Sequence, residues 1–213
     1  MRSGARSRAA WLAAPLVLLL AACTATEATP DAEEQPVPFA GCASLTGAPP
    51  SGAAAPAGDA AADLPQLELP CFAGGEQVSL AELRGPAVIT LWGSWCGPCR
   101  EELPVMQELA DATEGRLRVL GVNTRDKRDH GASFAADHGI TMPTLFDPEQ
   151  KLLLALGRTT LPLTVFVDET GEQYVWTGRA LDKPALGELV RTRAGVTVTG
   201  GGRPGCPGGG SRC

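Results

Sequence analysis

Apolar and polar positions along this chain alternate in blocks that predict strands and helices in turn. The run PAVITLW (residues 86–92) is apolar or β-branched at nearly every position, which is typical of a central strand buried on both faces. LRVLGVN (117–123) repeats that pattern, and residues 96–113 between the two runs have apolar side chains at helical spacing. The order strand, helix, strand predicts a parallel pair joined by a right-handed crossover.

The flanking segments complete an α/β chain. LELPCFAGGEQVSLAEL (67–83) alternates around Gly74-Gly75 and predicts a hairpin before the first buried strand. A short helix over 129–138, a brief strand TLF and a helical turn in EQKLLLALG follow the second buried strand. LTVFVD and QYVWTG predict a second hairpin, and DKPALGELVRTRAG predicts a closing helix capped by Asp182. Together these elements predict a mixed sheet flanked by helices.

The N-terminus predicts export. Three arginines lie within the first eight residues, before an apolar run over 9–22. That run is shorter than the about 20 residues that a membrane helix needs and is typical of a signal peptide. It ends in LAAC, which resembles the lipobox of bacterial lipoproteins. We therefore expect residues 1–22 to be a lipoprotein signal peptide and Cys23 to be lipidated. An ordinary cleaved signal followed by a chance cysteine is the alternative.

Composition divides the rest of the chain into a tether, a domain and a tail. Residues 23–63 are rich in Ala, Pro and Gly, and such a segment cannot bury enough apolar surface to offset its ordering entropy, so we expect a flexible tether. Residues 64–194 are the predicted domain, and 195–213 are a Gly-rich tail that we expect to be disordered. The net charge of −6, without a basic stripe, excludes nucleic acid as a partner.

Two cysteines follow the first buried strand. In WCGPC, Cys96 stands at the start of the predicted helix, and Cys99 lies one turn further on the same face. Unpaired N–H groups and the helix dipole stabilise a thiolate there, and in Cys-x-x-Cys turns the thiol pKa falls from about 8.5 to about 3.5–7.5. Gly97 and Pro98 keep the turn tight. The pattern predicts a dithiol that opens and closes.

Three other interpretations of this cysteine pair fit less well. A structural zinc site needs four ligands, but the chain has no second Cys-x-x-Cys, and its histidines are His130 and His138. A purely structural bridge between Cys96 and Cys99 would close too small a loop to add much stability. The PxxxTxxC motif of peroxiredoxins is absent, because Ile89 and Gly93 occupy its Pro and Thr positions. We expect neither a metal nor an organic cofactor.

VITLW followed by WCGPC, with Pro104 five residues after Cys99, resembles the thioredoxin superfamily. With the lipobox, the tether and CGPCREELP, the chain is similar to the membrane-anchored TlpA/ResA-like thiol–disulfide oxidoreductases over the predicted domain, residues 64–194. The resemblance implies a thioredoxin-like three-layer α/β/α fold with a mixed central sheet and an N-terminal β-hairpin. It also implies a protein disulfide oxidoreductase that needs no cofactor.

The resemblance further implies a cis-proline that faces the active cysteines. Pro143 and Pro162 are the candidates, and Pro162 matches better because a full strand, a hairpin and a terminal helix follow it. The residue before it would present backbone groups to a bound peptide, and Trp95 would form part of an exposed contact surface. The implied substrate-binding residues are Trp95, Gly97, Pro98, Leu161 and Pro162.

The same resemblance assigns the catalytic residues. Cys96 would be the nucleophile and Cys99 the resolving cysteine, with both in the redox-active disulfide. In the TlpA/ResA branch, a glutamate at the place of Glu102 is implicated in proton handling for the buried cysteine. Thioredoxin instead has an aspartate where this chain has Thr90. Glu102 is therefore the implied acid–base, and a solvated helix glutamate is the alternative.

In an oxidising compartment, Cys42 and Cys71 are natural partners for a structural disulfide that closes a loop of about 30 residues. Pairing of Cys206 with Cys213 is left open. The resemblance implies exported disulfide substrates, a membrane electron donor of thiol-transfer type and a monomer lipid-anchored on the extracytoplasmic face of the cell membrane. It favours a reductase, for example in cytochrome c maturation. An oxidase of secreted thiols and a non-catalytic tethered adaptor are the alternatives.

Overall fold

The computed structural model describes residues 37–46, 62–113 and 115–198. In chain order, the elements are α1 (Ala43–Thr46), β1 (Glu68–Pro70), β2 (Gln77–Ser79), a 3-10 helix (Leu80–Glu82), β3 (Ala87–Trp92), α2 (Gly97–Thr113), β4 (Arg118–Thr124), α3 (Arg128–Asp137), β5 (Thr144–Asp147), α4 (Lys151–Ala155), β6 (Leu163–Val167), β7 (Gln173–Trp176) and α5 (Lys183–Arg193). All the helices and strands that the hydrophobic pattern predicts after residue 64 are present.

A five-stranded mixed sheet forms the centre of the fold, with the strand order β5-β4-β3-β6-β7. β3 lies in the middle, and all six of its residues are buried, which confirms the prediction for this run. β3 pairs in parallel with β4 and antiparallel with β6, so that Ile89 lies opposite Leu120 on one side and Val165 on the other. The separate β1–β2 hairpin meets β5 through a bridge between Cys71 and Leu145.

Side chains of the central strands alternate between two hydrophobic layers. Val88 and Trp92 point into a core shared with apolar residues of α2, α3 and α5. Ile89 and Leu91 point into the opposite core, which contains residues of α1, α4 and the β1–β2 hairpin. This alternation follows from the two-residue period of a strand. The result is the predicted three-layer arrangement with a mixed sheet in the middle.

The described domain begins earlier than predicted. Phe39, Cys42 and Leu45 are buried, although residues 37–46 fall in the predicted tether. The Phe39 ring lies 4.7 Å from that of Phe72, and the Ala40 N–H donates to the Thr141 carbonyl at 2.7 Å. The prediction of a tether was wrong for this stretch, because average composition hides three apolar side chains that are spaced to reach the core.

The domain also continues past its predicted end. Val196 and Val198 pack against the core, and the Val196 N–H donates to the Val190 carbonyl at 3.4 Å. The predicted signal peptide 1–22, Cys23, Cys206 and Cys213 lie outside the described residues. Within residues 37–46, 62–113 and 115–198, no helix combines the length and the apolar character that a membrane span requires.

Candidate active site

The two cysteines of WCGPC form a disulfide where α2 begins. The Cys96 N–H donates to the Gly93 carbonyl at 3.0 Å, and the Cys96 carbonyl accepts from the Arg100 N–H at 3.1 Å, as the first turn of the helix requires. The Cys99 N–H lies 3.3 Å from Cys96 Sγ. This amide and the N-terminal end of the helix dipole would stabilise a thiolate on Cys96 once the disulfide opens.

The two sulfurs differ in depth. In the disulfide form, Cys96 is 5% exposed and Cys99 is 1% exposed. Cys96 is thus the outer cysteine, although its side chain is also buried. Both side chains belong to the core that lies between the sheet and α2. Cys96 is therefore the cysteine of the pair that is more accessible from outside.

Trp95 presents a large apolar surface next to the cysteines. It is 52% exposed, and its Nε1–H donates to the Arg125 carbonyl at 2.8 Å. The Arg125 guanidinium carbon lies 5.0 Å from the centre of the Trp95 ring. A Cβ on Gly93 would come within 2.6 Å of Trp95 Nε1, so only glycine leaves room for this ring position. Gly97 and Pro98 are also exposed, and they extend the surface across the turn.

The loop before the cysteines is tied to the end of β4 by an aspartate that the sequence analysis missed. The Asp126 carboxylate accepts from the Ser94 N–H at 2.6 Å and from the Ser94 hydroxyl at 2.9 Å. It also accepts from Asn123 Nδ2 and from the Lys127 N–H, each at 2.9 Å. Because β3 and β4 are parallel, their carboxyl ends meet at one edge of the sheet. The predicted parallel pairing was therefore a signal that a polar residue just after β4, such as Asp126, could reach the loop before the cysteines.

Glu102 is buried beneath the active-site turn, one helical turn beyond Cys99. It is 1% exposed, and burial raises the pKa of its carboxyl group above the ordinary value. Oε1 accepts from the hydroxyls of Thr90 at 3.2 Å and Thr164 at 2.8 Å, and Oε2 accepts from the Leu181 N–H at 2.9 Å. These bonds favour the carboxylate and oppose part of the pKa rise. The alternative of a solvated helix glutamate is wrong.

Pro162 begins the sequence that leads into β6, and the Leu161–Pro162 peptide bond is cis, as the sequence analysis expected. Pro162 is buried, whereas Leu161 is half-buried and packs against the core that contains both active-site cysteines. The other cis bond in the described residues joins Gly85 to Pro86, and Pro143 is trans. The loop with Pro162 thus contributes to the same core as the cysteine turn.

A second disulfide joins Cys42 to Cys71. It links the N-terminal segment to the end of β1, and the Cys42 N–H donates to Glu76 Oε1 at 3.3 Å. In the described residues, these three side chains form the group whose ligand atoms lie close enough together for a metal ion. Because both sulfurs are in the disulfide, neither is a thiolate that could bind a metal.

Comparison with known proteins assigns the fold to a family. Residues 58–172 match the AhpC/TSA family. The chain belongs to this family. Over 100 aligned residues, it is 33% identical to the thiol-disulfide oxidoreductase ResA of Geobacillus thermodenitrificans. The aligned region is 46% of this chain and 58% of that protein. The chain thus matches little more than half the length of this relative.

Two further matches extend the assignment. The AhpC/TSA-family chain is 38% identical to thioredoxin 1 of Nostoc sp., over 38% of its own length and 77% of that protein. The crystal structure of a secreted thiol-disulfide isomerase from Corynebacterium glutamicum superposes with a TM-score of 0.53 and 25% identity, over 62% of the chain and 83% of that structure. These matches confirm the predicted TlpA/ResA-like membership of the thioredoxin superfamily.

Proposed function

We propose that the protein is an extracytoplasmic thiol–disulfide oxidoreductase that reduces the disulfides of exported proteins. The observation that carries the proposal is the Cys96–Cys99 disulfide at the N-terminus of α2, with a buried carboxyl group one turn further along the helix. The name of the ResA relative describes the same chemistry. Cys96 is the nucleophile, Cys99 the resolving cysteine and Glu102 the acid–base.

The reaction is a pair of disulfide exchanges. The Cys96 thiolate attacks one sulfur of the substrate disulfide, forms a mixed disulfide and releases the other substrate sulfur, which takes up a proton. The Cys99 thiolate then attacks Cys96 Sγ and releases the second substrate thiol. The substrate gains two electrons that the protein dithiol loses, and the protein ends in its disulfide form. A membrane dithiol donor of thiol-transfer type returns the two electrons.

Glu102 accepts the proton that the Cys99 thiol must lose before it can react. The resolving thiol is nearly inaccessible to water, so its proton needs an internal acceptor. Glu102 lies on the same buried face of α2, and its raised pKa suits a group that takes up a proton and later releases it. Its bonds to Thr90, Thr164 and Leu181 hold the carboxyl group in place.

The substrate contacts the protein around the outer cysteine. Trp95, Gly97 and Pro98 are exposed there, and large aromatic surfaces of this kind contribute strongly to protein contacts. The half-buried Leu161 extends this surface, and the backbone before the cis bond to the buried Pro162 pairs with the substrate chain. A monomer is sufficient for this reaction, because one chain supplies both cysteines and the carboxyl group.

Location outside the cytoplasm is supported by two observations. The Cys42–Cys71 disulfide is buried and joins distant parts of the chain, and such bridges persist in oxidising compartments. A structural relative is described as secreted. Removal of residues 1–22 and lipidation of Cys23 would anchor the domain to the membrane. Cytochrome c maturation is the process in which a reductase at this place is expected to act.

The test is the redox equilibrium of the purified protein with glutathione, together with insulin reduction. We expect a potential on the reducing side, near the value of about −270 mV that thioredoxin has. A potential near −120 mV would refute the reductase and favour the oxidase of secreted thiols. Cys96→Ser should abolish insulin reduction, whereas Cys99→Ser should accumulate the mixed disulfide. If cells with Cys96→Ser keep the wild-type phenotype, the protein is a tethered adaptor.

A further inference from the structure

Four exposed cations lie directly after Cys99 or in the segment 125–128 that follows β4, although the chain as a whole carries a net charge of −6. We name this group the basic rim, and its members are Arg100, Arg125, Lys127 and Arg128. None of the four forms an ion pair within residues 37–46, 62–113 and 115–198. Their charge is therefore available to a partner.

Aromatic rings hold three members of the basic rim in place. The guanidinium of Arg125 lies over Trp95, and that of Arg100 lies 5.2 Å from the centre of the Phe134 ring. Arg128 lies over Phe72 at 4.6 Å and donates to the Phe72 carbonyl at 2.6 Å. Rings and carbonyls orient a guanidinium without neutralising it, so these contacts leave the positive charge in place.

The acids of the same region do not cancel that charge. Asp126 is turned toward the cysteine loop, where four hydrogen bonds from Ser94, Asn123 and Lys127 occupy its carboxylate. Glu101 and Asp129 are exposed, and Asp129 lies 3.9 Å from the ring nitrogen of His130. Four cations thus face three carboxylates, those of Asp126, Glu101 and Asp129, so a net positive charge remains, and the donors around Asp126 keep its carboxylate turned inward. Asp126 also ties the basic rim to the cysteine loop, because Arg125 and Lys127 are its neighbours in the chain.

We propose that the basic rim selects disulfide substrates whose cysteines are flanked by acidic residues. The inference rests on the proposed function and specifies its substrate class. Charges around an interface mainly raise the rate of encounter with a partner of opposite sign, and salt screens them within about 10 Å at 0.1 M. Selection should therefore be strong at low ionic strength and weak at high ionic strength.

The experiment compares two peptides of equal length that contain the same intramolecular disulfide. One peptide has Asp and Glu beside the cysteines, and the other has Lys. The reduced full chain is mixed with each peptide, and the second-order rate constant of reduction is measured in stopped flow. We expect the acidic peptide to react about three- to tenfold faster at low salt, and the ratio to approach one at about 1 M salt.

Two variants assign the effect to the basic rim. The double variant R125Q/K127Q removes two positive charges without changing the main chain, and it should bring the ratio of the two rate constants close to one. The ratio is the readout because loss of nearby cations also changes the Cys96 thiolate, and that change affects both peptides alike. R191Q removes an exposed arginine of α5 whose partner is Glu188, and it should leave the ratio unaltered.

Each outcome decides the inference. Equal rates for the two peptides in the wild type would overturn it and leave the proposed function standing. Equal rates together with binding to vesicles of anionic phosphatidylglycerol would assign the basic rim to a lipid surface. Reduction of neither peptide would refute the proposed function, and the inference would fall with it. A ratio that R125Q/K127Q and R191Q lower equally would also overturn it.

Discussion

Removal of the Cys42–Cys71 disulfide should destabilise the domain strongly. The double variant C42A/C71A releases a bridge between residues 29 positions apart. A cross-link of that span lowers the entropy of the unfolded chain by about 12 cal/mol/K, which corresponds to about 3.6 kcal/mol of stability at 25 °C. That value is a large share of the about 5–15 kcal/mol that separates folded from unfolded domains.

The fold explains why the stabilisation should be realised in full. The bridge attaches the segment 37–46 to the rest of the domain. This segment contains a helix of only four residues, α1, and its buried side chains are those of Phe39, Cys42 and Leu45. Without the bridge, the segment is held only by apolar contacts and by a few hydrogen bonds, such as that from the Ala40 N–H to the Thr141 carbonyl. The two alanines also leave a space where buried sulfurs were packed, which adds a further loss.

Urea unfolding at 25 °C, followed by tryptophan fluorescence, measures the difference in free energy of unfolding. We expect the m-value of the variant to rise slightly, because the unfolded chain without the bridge exposes more surface. The matched control is C96A/C99A, whose bridge spans a sequence separation of 3 and should therefore stabilise much less. A loss below about 1 kcal/mol for C42A/C71A, or a larger loss for the control, would refute the reasoning.

Four other variants probe the core, a helix cap and the buried carboxyl group. The pKa of Glu102 is higher in the folded than in the unfolded chain, so its contribution to the free energy of unfolding is complete below the unfolded pKa and is lost as pH rises through the folded pKa. The stability of the wild type relative to E102Q, measured by urea unfolding, should therefore fall as pH rises from the unfolded pKa to the folded pKa. Thr164→Val removes a hydrogen bond that lowers the pKa of Glu102, and a carboxyl NMR titration should show the pKa rise further. Phe39→Ala should cost about 3–5 kcal/mol in urea unfolding. Asp182→Ala removes the cap on the Ala185 N–H and should cost about 1 kcal/mol by the same assay.

Each of these predictions has its own control. A wild-type pH profile parallel to that of E102Q would show that Glu102 titrates alike in the folded and unfolded chain. An unchanged Glu102 titration in Thr164→Val would contradict the contribution of that bond. Val37→Ala, at a half-buried position of the same segment, should cost less than Phe39→Ala. Asp182→Asn should restore most of what alanine loses, since asparagine also caps helices well.

The central part of the fold could be predicted because its signals are local. β3 and β4 are continuous apolar runs, and a run of this kind has few alternatives to a buried strand. The Asp182 cap was also predictable, since its donor lies three residues away on the Ala185 backbone. In the segment 37–46, the pairing of Cys42 with Cys71 was expected, but the burial of Phe39 and Leu45 was not, because it depends on residues such as Phe72 about 30 residues away in the chain.

Features of the candidate site also divide into those with a local signal in the sequence and those that depend on distant contacts. Cys99 and Glu102 lie on one helix and Cys96 directly precedes it, so the helical period alone places the three on neighbouring positions of one face. The exposure of Trp95 and the attachment of Ser94 to Asp126 depend on the loop after β4, which is 32 residues away from Ser94. Only the parallel register of β3 and β4 brings that loop to the cysteines.

The sequence by itself thus determined the order of strands and helices, the position of the cysteine pair at a helix start and the place of Glu102 one turn further. These properties depend on the spacing of side chains along a single element. The tertiary structure alone decided the depth of Cys96, the three hydrogen bonds of Glu102 and the position of Arg125 over Trp95. These depend on contacts between elements that are far apart in the chain, and the spacing of side chains along one element does not fix such contacts.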